Sequence, residues 1–151
     1  EYAVKNAHVS CEIGAVRLTE RFPSLGGATK SADLARARKT AREALAPVSV
    51  FERQERLVAV GGSATISTAV IARGRTDASY TPLKRSALAD LIELLASLPL
   101  AQRKRLPGMV EQRADILLAG ALVLDEASAL TGHAELTVSR NDLLLGYLLR
   151  H

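Results

Sequence analysis

Leu57-Val58-Ala59-Val60-Gly61-Gly62-Ser63-Ala64-Thr65 is the stretch that decides how this chain folds. Four apolar residues in a row have the length and composition of a buried parallel strand. Two glycines follow at once and open backbone conformations that other residues avoid. Residues 64–72 then read as helix. A strand that ends in a glycine turn and feeds a helix is a building unit of α/β folds. The same turn could carry chemistry. Helix N-terminal amides point outward at the positive end of the dipole, which suits a phosphate or the edge of a nucleotide, and Ser63 and Thr65 add hydroxyls. Gly61-Gly62 could equally be a plain tight turn with Ser63 as N-cap. The residues alone leave both readings open.

Working outward, residues 2–13 are extended in character, with Lys5-Asn6 as the turn of a strand pair. Residues 16–22 form a short helix ended by Pro23, and residues 24–30 a loop with Gly26-Gly27. Ser31 is placed to N-cap the next helix, with Asp33 in its first turn; Leu34, Ala37, Ala41 and Leu45 give that helix one apolar face, and Pro47 closes it. Residues 73–82 read as a loop. Leu88, Leu91, Ile92 and Leu95 mark an amphipathic helix, and residues 100–106 a short one ending at Pro107-Gly108. Residues 111–130 form the longest helix, apolar nearly all round from 116 to 124, as suits burial against a sheet. Residues 135–139 return as a strand and residues 141–149 as a last helix. Strands alternating with helices predict one α/β domain over residues 1–151, with no repeat or linker.

Composition supports one core. The chain has 151 residues, 48% of them hydrophobic but only 3% aromatic, so Leu, Val, Ile and Ala must build the interior. Lys and Arg number 20 against 16 Asp and Glu, a net +4, which favours anionic partners without naming one. There are no aromatic stacking platforms or base-reading motifs, so nucleic acid is set aside. The longest apolar run, residues 116–124, falls well short of the ~20 residues needed to span a membrane. One cysteine, Cys11, implies a reducing cytoplasm. The chain opens at Glu1 in what reads as mid-strand, which predicts a segment upstream.

Two further places could hold an anion. Arg113-Ala114-Asp115 opens the long helix and would either grip a ligand or simply cap it. Val138-Ser139-Arg140-Asn141 again runs a strand into a helix, with an exposed polar cap as the alternative. His8, His133 and His151 are scattered, with no nucleophile or metal-ligand spacing around them. Neither a P-loop nor a G-x-G-x-x-G pattern is present.

In order, Ile13-Gly14-Ala15-Val16-Arg17-Leu18-Thr19-Glu20-Arg21-Phe22, Val58-Ala59-Val60-Gly61-Gly62-Ser63-Ala64-Thr65, Leu106-Pro107-Gly108-Met109, Arg113-Ala114-Asp115-Ile116-Leu117-Leu118-Ala119-Gly120-Ala121-Leu122 and Leu136-Thr137-Val138-Ser139 resemble the exopolyphosphatase / guanosine pentaphosphate phosphohydrolase family. The likeness covers essentially the whole chain. It implies an actin-like, ribonuclease H-like fold with a mixed sheet flanked by helices. This segment would be most of the second of two domains that close on a cleft. It further implies water attack on a terminal phosphoryl group of polyphosphate or guanosine pentaphosphate, with Mg2+ in the intact parent and a glutamate base.

On the same ground the Gly61-Gly62-Ser63 turn stands where that fold meets phosphate or nucleotide, with the Thr65 hydroxyl beside it as a further candidate from the residues themselves, and Arg17, Arg113 and Ser139 are phosphate-contact candidates. The family's own phosphate loops and glutamate segment would lie upstream of Glu1. The chain alone is therefore expected to bind no metal and to be inactive. Where the family has Asp after Val-Ser and later Leu-Arg-Glu-Gly, this chain has Arg140 and Leu143-Leu144-Leu145-Gly146. The alternatives are a non-catalytic nucleotide- or phosphate-binding module and a homodimerisation element.

Overall fold

In a computed structural model the chain is described over residues 8–51, 54–75 and 80–140. The centre is helix α6 (Leu117–Leu130), whose Leu117, Leu118, Ala119, Gly120, Ala121 and Leu122 are all buried. Around it pack α1 (Ala15–Arg21), α2 (Ser31–Leu45), α3 (Gly62–Ile71) and α4 (Arg85–Ser97). α2 turns Ala37, Ala41 and Leu45 inward, and α4 turns in Leu88, Leu91, Ile92 and Leu95; these are the i, i+3, i+4 stripes the sequence displays. Small alanines on α2 let it lie close to α6.

Among the described residues there is one sheet of three strands, in the order β1 (Val58–Val60), β3 (Glu135–Ser139), β2 (Tyr80–Lys84). β1 runs parallel to β3, with Val58 opposite Thr137 and Val60 opposite Ser139. β2 runs antiparallel to β3, with Leu83 opposite Leu136. α3 and α4 cover one face, where Leu83, Leu136 and Val138 are buried. The mixed sheet flanked by helices is the expected fold class.

Several expectations are corrected. β1 is parallel, as expected, but not a buried strand: it is at the edge of the sheet formed by the described residues, and Val58 and Val60 are 52% and 45% exposed on the face that α3 does not cover. Period-2 alternation there half-buries Ala59 against the core and leaves its neighbours out. Residues 73–82 are not all loop, because β2 begins at Tyr80 and includes Pro82. An edge strand tolerates a proline, whose missing N–H can face away from the ladder. Residues 8–13 form no strand, and residues 2–7 lie outside the described residues, as does the closing helix read at 141–149.

Ser31 is the first residue of α2 rather than its cap, which is Lys30, without a side-chain bond. The helix read over 111–130 starts only at Leu117, after a 3-10 turn at Glu111–Arg113. At 14 residues it is shorter than the 15 of α2. α5 (Leu100–Arg103) is likewise shorter than the 100–106 reading. No described helix is long and apolar enough to cross a membrane.

Candidate functional site

β1 and β3 end together, and the chain leaves them at Gly61 and at Arg140. In α/β sheets this carboxyl end of parallel strands is where ligands gather. Gly61 has φ +97, a left-handed conformation that favours glycine, and it caps α3 with no side-chain bond. Ser63 is therefore not the N-cap. The Thr65 amide is the first to find a helical partner, donating to the Gly61 carbonyl at 3.1 Å. The amides of Gly62, Ser63 and Ala64 precede it in the first turn, where helical N–H groups lack intrahelical acceptors.

The first turns of α1 and α3 and the turn before α6 converge on an open cleft of about 300 Å³. Four of the sequence-derived candidates line it together: Arg17, Gly62, Ser63 and Arg113. Ile13, Val16, Ile66, Ile116 and Leu117 supply apolar wall. Both guanidiniums are exposed. Arg17 pairs with Glu12, and Arg113 has no ion-pair partner among the described residues. Low-dielectric walls beside Arg113 concentrate its positive potential, which suits an anion, while Glu12 offsets the charge of Arg17.

Gly61, Thr65 and Ser139 are not among the lining residues. Thr65 turns its hydroxyl back onto the Gly61 and Gly62 carbonyls, 3.2 Å from each. Ser139 is buried beside Val60 at the end of β3. Arg113 and Asp115 do not cap α6, whose N-cap is Ile116. Ser63 also has a packing role. A Cβ on Gly120 would lie 2.3 Å from the Ser63 Oγ, so α3 and α6 approach closely only because Gly120 has none.

The wall does not fit a magnesium ion. Its lining includes two guanidiniums and no carboxylate, and no three His, Cys, Asp or Glu side chains among the described residues come together as a metal site.

Other polar groups serve the fold. Asp125 and Glu126 are buried in α6 and are held by three arginines. Arg38 donates to both, Arg42 to Glu126 at 2.8 Å and Arg85 to Asp125 at 2.8 Å. Burial pushes the Asp125 carboxyl up, but hydrogen bonds from Arg85 and Arg38 outweigh it and hold it below the usual range. Arg103 is fully buried with no carboxylate; it donates to the carbonyls of Leu98, Leu25 and Gly27 and to the Thr29 hydroxyl. Burial pushes its guanidinium down. His133 is a satisfied core histidine between Thr131 and the Gln54 carbonyl. Sequence reading missed Glu12 and the apolar lining, because neither has a local signature; only the fold brings residues 13, 66 and 117 together.

A sequence model of the Ppx/GppA phosphatase family matches residues 3–151. The chain is 34% identical over 155 aligned residues to exopolyphosphatase 2 of Mycobacterium tuberculosis, covering 95% of this chain and 48% of that protein. It therefore spans about half the length of the curated relatives it matches. Among solved structures, the Ppx/GppA enzyme of Aquifex aeolicus superposes with a TM-score of 0.86 at 21% identity, over 97% of this chain and 50% of that one. An exopolyphosphatase from Cytophaga hutchinsonii gives 0.76 at 23%, over 91% and 47%. These likenesses show the actin-like fold. With nearly its whole length matched by the family's sequence pattern, this chain belongs to the Ppx/GppA phosphatase family.

Proposed function

We propose that the chain forms one phosphate-binding wall of a phosphatase that removes terminal phosphoryl groups from inorganic polyphosphate or guanosine pentaphosphate. The observation that carries this reading is the meeting of Arg17, Arg113 and the Gly62-Ser63 turn in one cleft. Guanidiniums hold phosphate oxygens through several donors at once, and the first-turn amides add uncharged donors behind them. In this role the two arginines bind and orient a phosphoryl group, and the apolar wall limits water around it. The lining includes no Asp, Glu or His that could take a proton from water, so the base belongs to another part of the protein. By itself the wall binds and does not turn over.

The test is equilibrium titration of the chain with inorganic tripolyphosphate. Arg113→Ala and Arg17→Ala should each weaken binding roughly tenfold, the worth of one charge-assisted hydrogen bond of about 1.5 kcal/mol. Thr65→Ala, outside the cleft, should leave it unchanged. Binding that is indifferent to both arginines would overturn the reading.

A further inference from the structure

Of the two cations in the cleft, only Arg17 has an ion-pair partner among the described residues. Its Nη1 is paired with Glu12, which lies just ahead of the cleft-lining Ile13-Gly14 stretch and is not itself a lining residue. The Glu12 side chain is 81% exposed and that of Arg17 61%, so neither is locked by packing. Glu12 makes no other bond among the described residues. Arg113, which also lines the cleft, has no such counter-ion among the described residues. Resting on the phosphate-wall reading, we infer that Glu12 is a built-in competitor for Arg17. It holds the guanidinium at the lip of the cleft and must be displaced, or share it, when a phosphate anion enters.

The chemistry is that of an exchangeable ion pair. A guanidinium has five N–H donors, and a carboxylate on one edge removes part of that set and cancels the charge that draws an anion in. Exposed pairs are worth only about 0.2–1 kcal/mol, so the competition is mild and reversible. It weakens anion binding without abolishing it, and it lets bound product leave. The competition is specific to Arg17, which separates it from the diffuse repulsion any surface carboxylate exerts.

A double-mutant cycle tests this by isothermal titration with inorganic tripolyphosphate at fixed ionic strength. Glu12→Gln should tighten binding about two- to fivefold in the otherwise unchanged chain. In an Arg17→Ala background the same change should give less than half of that gain. An equal gain in both backgrounds would reduce Glu12 to general surface charge and overturn the inference. So would no gain, or a loss, which would make Glu12 a support that positions Arg17. Arg113→Ala runs alongside. If it binds like the unchanged chain, the cleft reading itself fails and the inference falls with it. If it weakens binding while the cycle is flat, only the role of Glu12 is refuted.

Discussion

Gly108 and Gly120 show what single residues do for this fold. Gly108 has φ +85, and a Cβ there would lie 2.3 Å from the Ala69 carbonyl oxygen, against the backbone of α3. Both its conformation and its contact exclude a side chain. Gly108→Ala should cost about 3 kcal/mol or more, combining left-handed strain with overpacking against a rigid helix. Chemical denaturation would show this as a large fall in midpoint. Gly120 differs, because its obstacle is the Ser63 side chain. Gly120→Ala should cost about 1–3 kcal/mol, and Ser63→Gly on top of it should recover much of the loss. If the pair is no more stable than Gly120→Ala alone, the contact between α3 and α6 is not what the glycine protects. In the same double variant, lost tripolyphosphate binding despite restored folding would separate the hydroxyl's work from its packing.

At the scale of elements, α2, α4 and α6 are joined by charge as well as by apolar faces. Asp125 and Glu126 on α6 take bonds from Arg38 and Arg42 on α2 and Arg85 at the start of α4. Because the folded Asp125 carboxyl sits below its ordinary value, the unfolded chain takes up that proton first as pH falls. Its stabilisation is complete above about pH 3.9 and is lost as pH drops through the lowered folded value. Asp33, lowered by its bonds from Ser24 and Arg36, acts with the same sign. Asp125→Asn should cost roughly 1–3 kcal/mol at neutral pH, between the worth of exposed and of buried pairs. It should also flatten the acid limb of stability below about pH 4, where the unfolded carboxyl takes up its proton before the folded one; an unchanged limb would remove Asp125 from that role.

Which elements could be read from sequence follows from where their information lies. α4 was legible because Leu88, Leu91, Ile92 and Leu95 repeat at helical spacing, and β3 because Leu136 and Val138 alternate toward the core. β2 was not, because Pro82 speaks against a strand unless the strand is known to lie at an edge. The burial of β1 was overestimated for the same reason, since sheet order is not a local property. In the site, Gly62, Ser63, Arg17 and Arg113 were found by motif and resemblance. That Thr65 turns away and Ser139 is buried depends on helix-start and strand geometry that the motif does not encode.

At the scale of the whole molecule, the cleft is open and carries two guanidiniums, and none of its described lining residues can activate water. Phosphoryl transfer needs the attacking water aligned and deprotonated, and the charge on the transferring group neutralised. In the proposed reading Arg17 and Arg113 would answer the second need in part, and no described lining residue answers the first. General-base assistance alone is worth about 10²–10⁴ in rate. Excluding water from around the reacting phosphate calls for a facing surface, and the chain spans 48% of the length of its exopolyphosphatase relative. We therefore expect residues 1–151, purified and supplied with magnesium, to release no more phosphate from polyphosphate than a protein-free control does. Tripolyphosphate should still bind in the same preparation, showing that the wall is folded and competent. Sustained, metal-dependent phosphate release that Arg113→Ala abolishes would mean that this chain carries its own base, and the division of labour argued from the cleft would have to be withdrawn.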